Sequence, residues 1–224
     1  MESQRLPAGI GRGIYSYNDA ALLLGASSMR VRRWADGYTY KRKYDIGFSA
    51  PILQSERKAG VISFQDFLEL FYVRQYDLLG VKLPEIRAVA QELSKTLGPY
   101  PFASAKLPTV GRHLMYETPA GDRLRPDVKQ MFFEYADDFA KQIRYEGEVA
   151  DEWVPREGDG LVVVTGHKAF GQPVLMRSSV PTRVIYGLFT REQDFGKVAE
   201  WYDVDIESVH AAVKFEMSCL RNAA

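Results

Sequence analysis

The sequence predicts an α+β fold: paired helices near both ends, with a small β-hairpin region between them. Three observations predict it. Apolar residues recur at helical spacing behind Ser or Asp caps, first over residues 16–97 and again over 182–217. The β-branched run Leu161-Val162-Val163-Val164 reads as a buried strand. Between these, Pro99, Pro101, Pro108, Pro119, Gly121 and Pro126 interrupt any long helix.

Taken in order, residues 1–14 carry Gly and Pro and read as a loose arm. Ser16, with Asp19 three residues on, reads as an N-cap with an acidic N3 position. A helix follows through Leu24, with Ala20, Ala21, Leu23 and Leu24 as its apolar residues, and Gly25 breaks it. Ser27 caps a second helix to about Asp36, and Gly37 stops it. Two short helices joined by a tight Gly-containing turn form the helix-turn-helix pattern.

Projected at helical periodicity, Val31, Trp34 and Ala35 share one face of the second helix, which must pack on Ala21 and Leu24. Met29, Arg33 and Asp36 fall opposite, with Arg30 and Arg32 on the flanks. A helix with one apolar face and an arginine-bearing outer face suits a DNA major groove. Which arginine reads a base and which holds phosphate is open at this point; Arg33, facing away from the core, is the better base reader, since Arg can bind guanine bidentately. Tyr38 to Leu53 is aromatic, basic and non-helical, and reads as a β-hairpin or wing. Its Lys41, Arg42 and Lys43 would reach phosphates beside the groove. Tyr38 and Tyr40 read equally as packing residues or as sugar–phosphate contacts.

Ser63 and Asp66 mark another helix start, with Ile62 placed to staple onto Phe67. That helix ends at Gly80. Pro84 opens the next at N1, and Gly98-Pro99 closes it. His113–Thr118 and Arg123–Arg125 flank a turn and suggest a hairpin. A helix is expected over Val128–Gln142, extended chain over Ile143–Trp153, and a strand over Phe170–Met176. Helices then return: one from Thr182 to Phe189, one carrying Phe195, Val198, Ala199 and Trp201, and one capped by Asp205. The last is expected to expose Glu207, His210, Lys214 and Glu216, an acidic face that a phosphate polyanion would repel. The division expected is residues 1–98, a DNA-binding unit; 99–155, linker, hairpin and helix; and 156–224, a unit for dimerisation and protein contact.

Charge supports that division. The 224 residues hold 29 basic and 29 acidic side chains, a net charge of zero. A zero sum argues superficially against nucleic acid, but binding follows where charge sits. Residues 1–133 carry +6 and residues 134–224 carry −6. The hydrophobic content of 46% supports real cores and excludes a disordered chain. One cysteine, Cys219, excludes an internal disulfide and a thiolate zinc site. No apolar run approaches the roughly 20 residues that span a bilayer, so a protein of a reducing cytoplasm with no membrane partner is expected.

Catalytic chemistry finds no foothold. His113, His167 and His210 stand apart in sequence, outside any metal-ligand spacing. Asp137-Asp138 and the acidic residues from Glu146 to Glu152 read as a solvated surface. Gly9, Gly11 and Gly13 follow no strand, so they are no phosphate loop. No enzyme, cofactor or metal is expected.

Residues 15–97 resemble the MerR-type winged helix-turn-helix. The likeness rests on Tyr17-Asn18-Asp19-Ala20-Ala21-Leu22-Leu23-Leu24-Gly25, on Val31-Arg32-Arg33-Trp34, and on Ser63-Phe64-Gln65-Asp66-Phe67-Leu68-Glu69-Leu70 with Gly80-Val81. Residues 161–217 resemble a small domain family long of unknown function, through Lys168-Ala169-Phe170-Gly171-Gln172-Pro173-Val174, Val180-Pro181-Thr182 and Val198-Ala199-Glu200-Trp201-Tyr202-Asp203-Val204. The combination resembles VapB-type antitoxins of bacterial type II toxin–antitoxin systems. The resemblance implies a homodimer that binds operator DNA, represses its own operon, and neutralises a co-encoded PIN-like ribonuclease toxin. DNA contact would fall to Ser27, Ser28, Met29, Arg30, Arg32, Arg33, Tyr38, Lys41, Arg42 and Lys43. Arg177 and Arg183 are the candidates for the carboxylate-rich site of such a ribonuclease, since Arg pairs well with carboxylates. Typical MerR proteins dimerise through one long helix; Gly98-Pro99-Tyr100-Pro101 cuts it off here, which moves dimerisation to the C-terminal unit.

Overall fold

A computed structural model describes residues 14–41, 43, 45–111, 113 and 126–223. The architecture is α+β. Strand β1 (Ile14–Tyr15) leads into α1 (Tyr17–Leu24) and α2 (Ser28–Asp36), followed by the hairpin β2 (Tyr38–Lys41) and β3 (Ile46–Ser49). Strand β4 (Ile62–Ser63) enters α3 (Phe64–Leu78), and α4 (Leu83–Leu97) follows. After α5 (Pro126–Ala140) come β5 (Ile143–Glu146), β6 (Val149–Trp153), β7 (Val162–Thr165) and β8 (Val174–Leu175). The chain closes with α6 (Thr182–Glu192), α7 (Phe195–Tyr202) and α8 (Ile206–Ala223). Strands β5 to β8 form an antiparallel meander in chain order.

Local chemistry explains the early elements. Ser16 and Asp19 form a reciprocal capping box on α1, and Ser63 and Asp66 form another on α3. Gly25 adopts a left-handed conformation and ends α1. Of the loose arm expected over residues 1–14, residues 1–13 lie outside the described residues; Ile14 instead pairs with Ser63, and Tyr15 with Ile62. The hairpin suggested by His113–Thr118 and Arg123–Arg125 lies outside the described residues, His113 apart.

Further along, three boundaries shift. The expected strand over Phe170–Met176 shrinks to Val174–Leu175, because Ala169–Gly171 forms a single helical turn and Pro173 has no N–H to pair. Helix α6 runs on to Glu192, where Gln193 turns left-handed. Helix α5 begins at Pro126, a residue suited to a first turn. Leu107–Gly111 forms a short π-helical turn that its proline hid in the sequence.

The main core is aromatic and gathers around α3. Phe67 stacks on Tyr15 at 5.2 Å and meets Trp153 edge-on at 5.2 Å. Tyr76 lies 3.9 Å from Phe132 and 5.4 Å from Phe139. This core runs from Tyr15 to Cys219. A second, smaller one contains Leu175, Ile185, Val198, Ala199, Val209, Ala212 and Val213. Helix α8 serves both. Ala211, Phe215 and Cys219, spaced by four, belong to the main core, while Val209, Ala212 and Val213 face the smaller one. Burial raises the Cys219 thiol to about 12, so it stays protonated.

Among the ionisable groups buried in the main core is a carboxylic acid, Glu69. The Glu69 carboxylate accepts the Ala103 N–H at 2.7 Å, and burial pushes its pKa well above the usual carboxylate range. An unfolded chain would release that proton near pH ~4.3, while the folded chain keeps it to higher pH. The folded state thus binds the extra proton, and stability falls as pH rises through that interval. Glu69→Gln keeps the acceptor and abolishes the titration. Urea melts at pH 5 and pH 8 should show the variant gaining on the native chain at the higher pH. A gap that stays constant, or moves the other way, would refute this assignment.

Candidate functional site

Helices α1 and α2 are joined by Gly25-Ala26-Ser27 and pack through Ala20, Ala21, Leu24, Val31, Trp34 and Ala35, all buried. Burying that face fixes which residues of α2 look outward. Met29, Arg30, Arg32 and Arg33 are exposed. The α2 N-cap is Ser27, whose side chain accepts the Arg30 N–H at 3.3 Å. Ser28 is half-buried.

The arginines are not equivalent. Arg30 donates through Nη2 to both Asp77 oxygens, at 3.0 and 2.8 Å, and lies 5.6 Å over the Trp34 ring. Asp77 also accepts from Arg74 at 3.3 Å, and Arg74 binds the Leu24 and Gly25 carbonyls at 3.2 and 2.7 Å. Those carbonyls end α1 and would otherwise lack partners. Arg30 is therefore part of a clamp that fixes the α1–turn–α2 unit to α3. Arg33 instead sits 5.1 Å over the Tyr38 ring, which ties the outer face of α2 to the hairpin. Arg32 makes no ion pair among the described residues.

Asp36, projected onto the outer face from sequence, is drawn inward. It is bound by the Arg57 guanidinium and by the Tyr17 hydroxyl, which in turn accepts the Gly60 N–H at 2.7 Å. A carboxylate that would repel phosphate is thereby neutralised. Sequence inspection missed this, because Arg57 lies on a later loop.

The hairpin β2–β3 pairs Tyr38 with Ser49, Tyr40 with Gly47, and Lys41 with Ile46. Gly47 is required: an added Cβ would meet the Tyr40 ring at 2.5 Å. Gly37 turns the chain at φ +74° directly against the Ser49 carbonyl, a conformation and a space that only glycine fits. The Ile52 N–H, bonded to the Trp34 carbonyl at 2.8 Å, anchors the hairpin's return to α2. Lys41 and Lys43 are exposed, as are Ile46 and Phe48 on the face opposite Tyr40. Arg42 lies outside the described residues. The structure thus brings Arg33 of α2 against Tyr38 of the hairpin, while Lys41 lies with Thr39, Ile46 and Phe48 on the hairpin face opposite Tyr38.

Arg177 and Arg183 lie on the other half of the chain. Arg177 is highly exposed and sits 3.8 Å from Asp205. Arg183 lines a cleft of about 190 Å³ with Ile14, Leu22, Leu23, Phe170 and Glu216. Glu216, expected on the exposed face of the last helix, is half-buried instead and accepts the Thr182 hydroxyl. Burial raises its pKa. His167 contacts Asp151 at 3.0 Å beside a separate cavity of about 450 Å³. Phe170, which sequence placed in a strand, is 87% exposed. Ala169 and Phe170 are both left-handed, at φ 45° and 56°, a strain of about 1–2 kcal/mol for each.

No family model matches the chain. A protein of Mycobacterium tuberculosis (strain ATCC 25618 / H37Rv) named "Putative antitoxin VapB45" is 22% identical over 225 residues, covering 89% of this chain and 92% of that protein. The crystal structure of Rv2018 from Mycobacterium tuberculosis matches with a TM-score of 0.71 at 21% identity, covering 89% of this chain and 96% of that one. The chain shares its fold with Rv2018 over nearly its whole length. No helix among the described residues is long and apolar enough to cross a membrane.

Proposed function

We propose that this chain is a DNA-binding antitoxin that represses its own operon and neutralises a co-encoded PIN-like ribonuclease. The observation that carries the reading is the outward pair Arg32 and Arg33, set beside the basic hairpin and freed of the Asp36 charge. The full-length likeness to a protein named as an antitoxin supports the second half. Residues 15–97 act as a MerR-like winged helix-turn-helix: α2 enters the major groove, with Met29, Arg32 and Arg33 toward base edges. Ser27 and Ser28 lie at its leading end. Lys41, Arg42 and Lys43 hold the flanking phosphates, Tyr38 orients Arg33, and Arg30 positions the helix through Asp77. The protein works in the cytoplasm as a homodimer, on a palindrome with half-sites about one helical turn apart. It acts by binding, without catalysis or cofactor.

Fluorescence anisotropy with duplex from the chain's own upstream region tests the first half. Neutralising about six phosphates gives a log–log salt slope near −5. The second half is tested by adding the chain to the purified product of the adjacent reading frame in a ribonuclease assay, where activity should fall stoichiometrically. Salt-independent or absent DNA binding overturns the repressor reading. Uninhibited ribonuclease overturns the antitoxin reading and leaves a stand-alone regulator.

A further inference from the structure

We propose that the cavity between α1, α3, β6 and α8 is a binding site for a small organic monocarboxylate. The site lies where the two halves of the chain meet, and it is independent of the antitoxin reading.

The cavity holds about 310 Å³, at the small end for ligand sites. Buried Leu24, Phe71, Phe215 and Cys219 give it an apolar lining. The exposed Arg156 and Glu157, just after β6, stand at its mouth.

One group in that lining is left unsatisfied. Trp153 is 4% exposed, and its indole N–H is buried with no hydrogen-bond partner among the described residues. An indole N–H can only donate, and a buried donor without an acceptor is costly. The polar groups that share the cavity offer it further donors. The half-buried side-chain amides of Gln75 and Gln142 make no hydrogen bond among the described residues. Arg156 makes no ion pair among those residues, and its guanidinium reaches the Asp138 carbonyl only at 3.4 Å. Arg74 is already spent on the Leu24 and Gly25 carbonyls and on Asp77. What the cavity lacks is an acceptor, and carboxylate oxygens are the strong acceptors for guanidinium and N–H donors.

Charge sets the ligand at one negative unit. In the lining, Arg74 and Arg156 face Glu157. Arg74 shares Asp77 with Arg30, so three cations stand against two carboxylates. The flanking acids are matched: Asp138 by Lys141 at 2.6 Å, Asp159 by Lys214 at 2.6 Å, and Glu216 by the charge of Arg183. Cys219 adds no thiolate, because burial keeps its thiol protonated. An ammonium ligand would meet the indole N–H and guanidinium donors, none of which can accept from it. A phosphate dianion would bring more charge than is matched, and oxygens that the apolar lining cannot partner.

The test follows the Trp153 indole N–H of the full chain by proton–nitrogen correlation NMR, its signal assigned through its own backbone amide. The probes are sodium benzoate and sodium isobutyrate, with benzyl alcohol, benzylamine and inorganic phosphate as comparisons. Benzoate or isobutyrate is expected to move this signal downfield and to saturate with a Kd of about 1 mM or below. The three comparison compounds should bind at least about tenfold more weakly than the better carboxylate. Arg156→Gln, at the exposed mouth, should weaken that carboxylate at least about tenfold. Arg191→Gln, an exposed arginine outside the cavity, should stay within about twofold. Thermal melts of both variants should match the native chain. If neither carboxylate moves the Trp153 signal saturably by about 10 mM, tenfold above the expected Kd, the site is refuted. A saturable shift confined to Trp34 or Trp201 places the ligand elsewhere and also overturns it. Equal or tighter binding of benzylamine or phosphate overturns the ligand class, and undiminished binding by Arg156→Gln overturns the assigned contact. None of these results bears on binding to upstream DNA or to a toxin.

Discussion

Arg33→Ala is expected to weaken operator binding roughly 5- to 150-fold and to relax sequence preference at one base pair, the cost of one bidentate base contact of about 1–3 kcal/mol. On the proposed function, Arg33 is a better reader than its neighbours. Its guanidinium rests 5.1 Å over Tyr38, so it is oriented before DNA arrives. Arg30 lies on the same helix, but its donors are committed to Asp77. Arg30→Ala should therefore reduce binding to cognate and scrambled duplexes by the same factor, through loss of helix position. Arg33→Ala should lower only the cognate affinity to that extent. Anisotropy titrations on both duplexes at fixed salt separate the two. An Arg33→Ala loss below about threefold, or equal on both duplexes, would remove Arg33 from base readout.

The largest stability effect is expected at Phe67. It is fully buried, with ring neighbours Tyr15 at 5.2 Å, Phe64 at 6.4 Å and Trp153 at 5.2 Å. Phe67→Ala leaves a cavity among rigid rings that cannot collapse to fill it, a cost of about 3–5 kcal/mol. For a chain of this size that lowers Tm by roughly 6–20 °C. Because Tyr15 and Trp153 come from distant parts of the sequence, the loss should lower the whole unfolding curve. Circular dichroism melts check it, and a shift under about 2 °C would mean that the neighbours repack.

Much of the front half was legible because its signals are local. Ser16 with Asp19 and Ser63 with Asp66 are read at a spacing of three, and both form the bonds expected. The outward arginines followed from the apolar stripe of Val31, Trp34 and Ala35, which is buried as expected. What escaped the sequence depends on partners far along the chain. Asp77 is 47 residues from Arg30, and nothing local marks the pair. Asp36 was misplaced because periodicity gives a direction, not the arginine that waits there. Phe170 reads as a strand residue because aromatic and β-branched neighbours favour strands, while its left-handed backbone has no sequence mark without glycine.

Helix α8 carries a consequence beyond packing. It is a wall of both hydrophobic cores, and α1 leans directly on it. A wall shared in this way cannot shift for one core alone. A continuous set of packed contacts and hydrogen bonds thus runs from the back half through α1 and the Arg74–Asp77–Arg30 clamp to the outward face of α2. Thermodynamics makes any coupling along it two-way: whatever a ligand at one end did to affinity at the other, the other would do in return by the same factor.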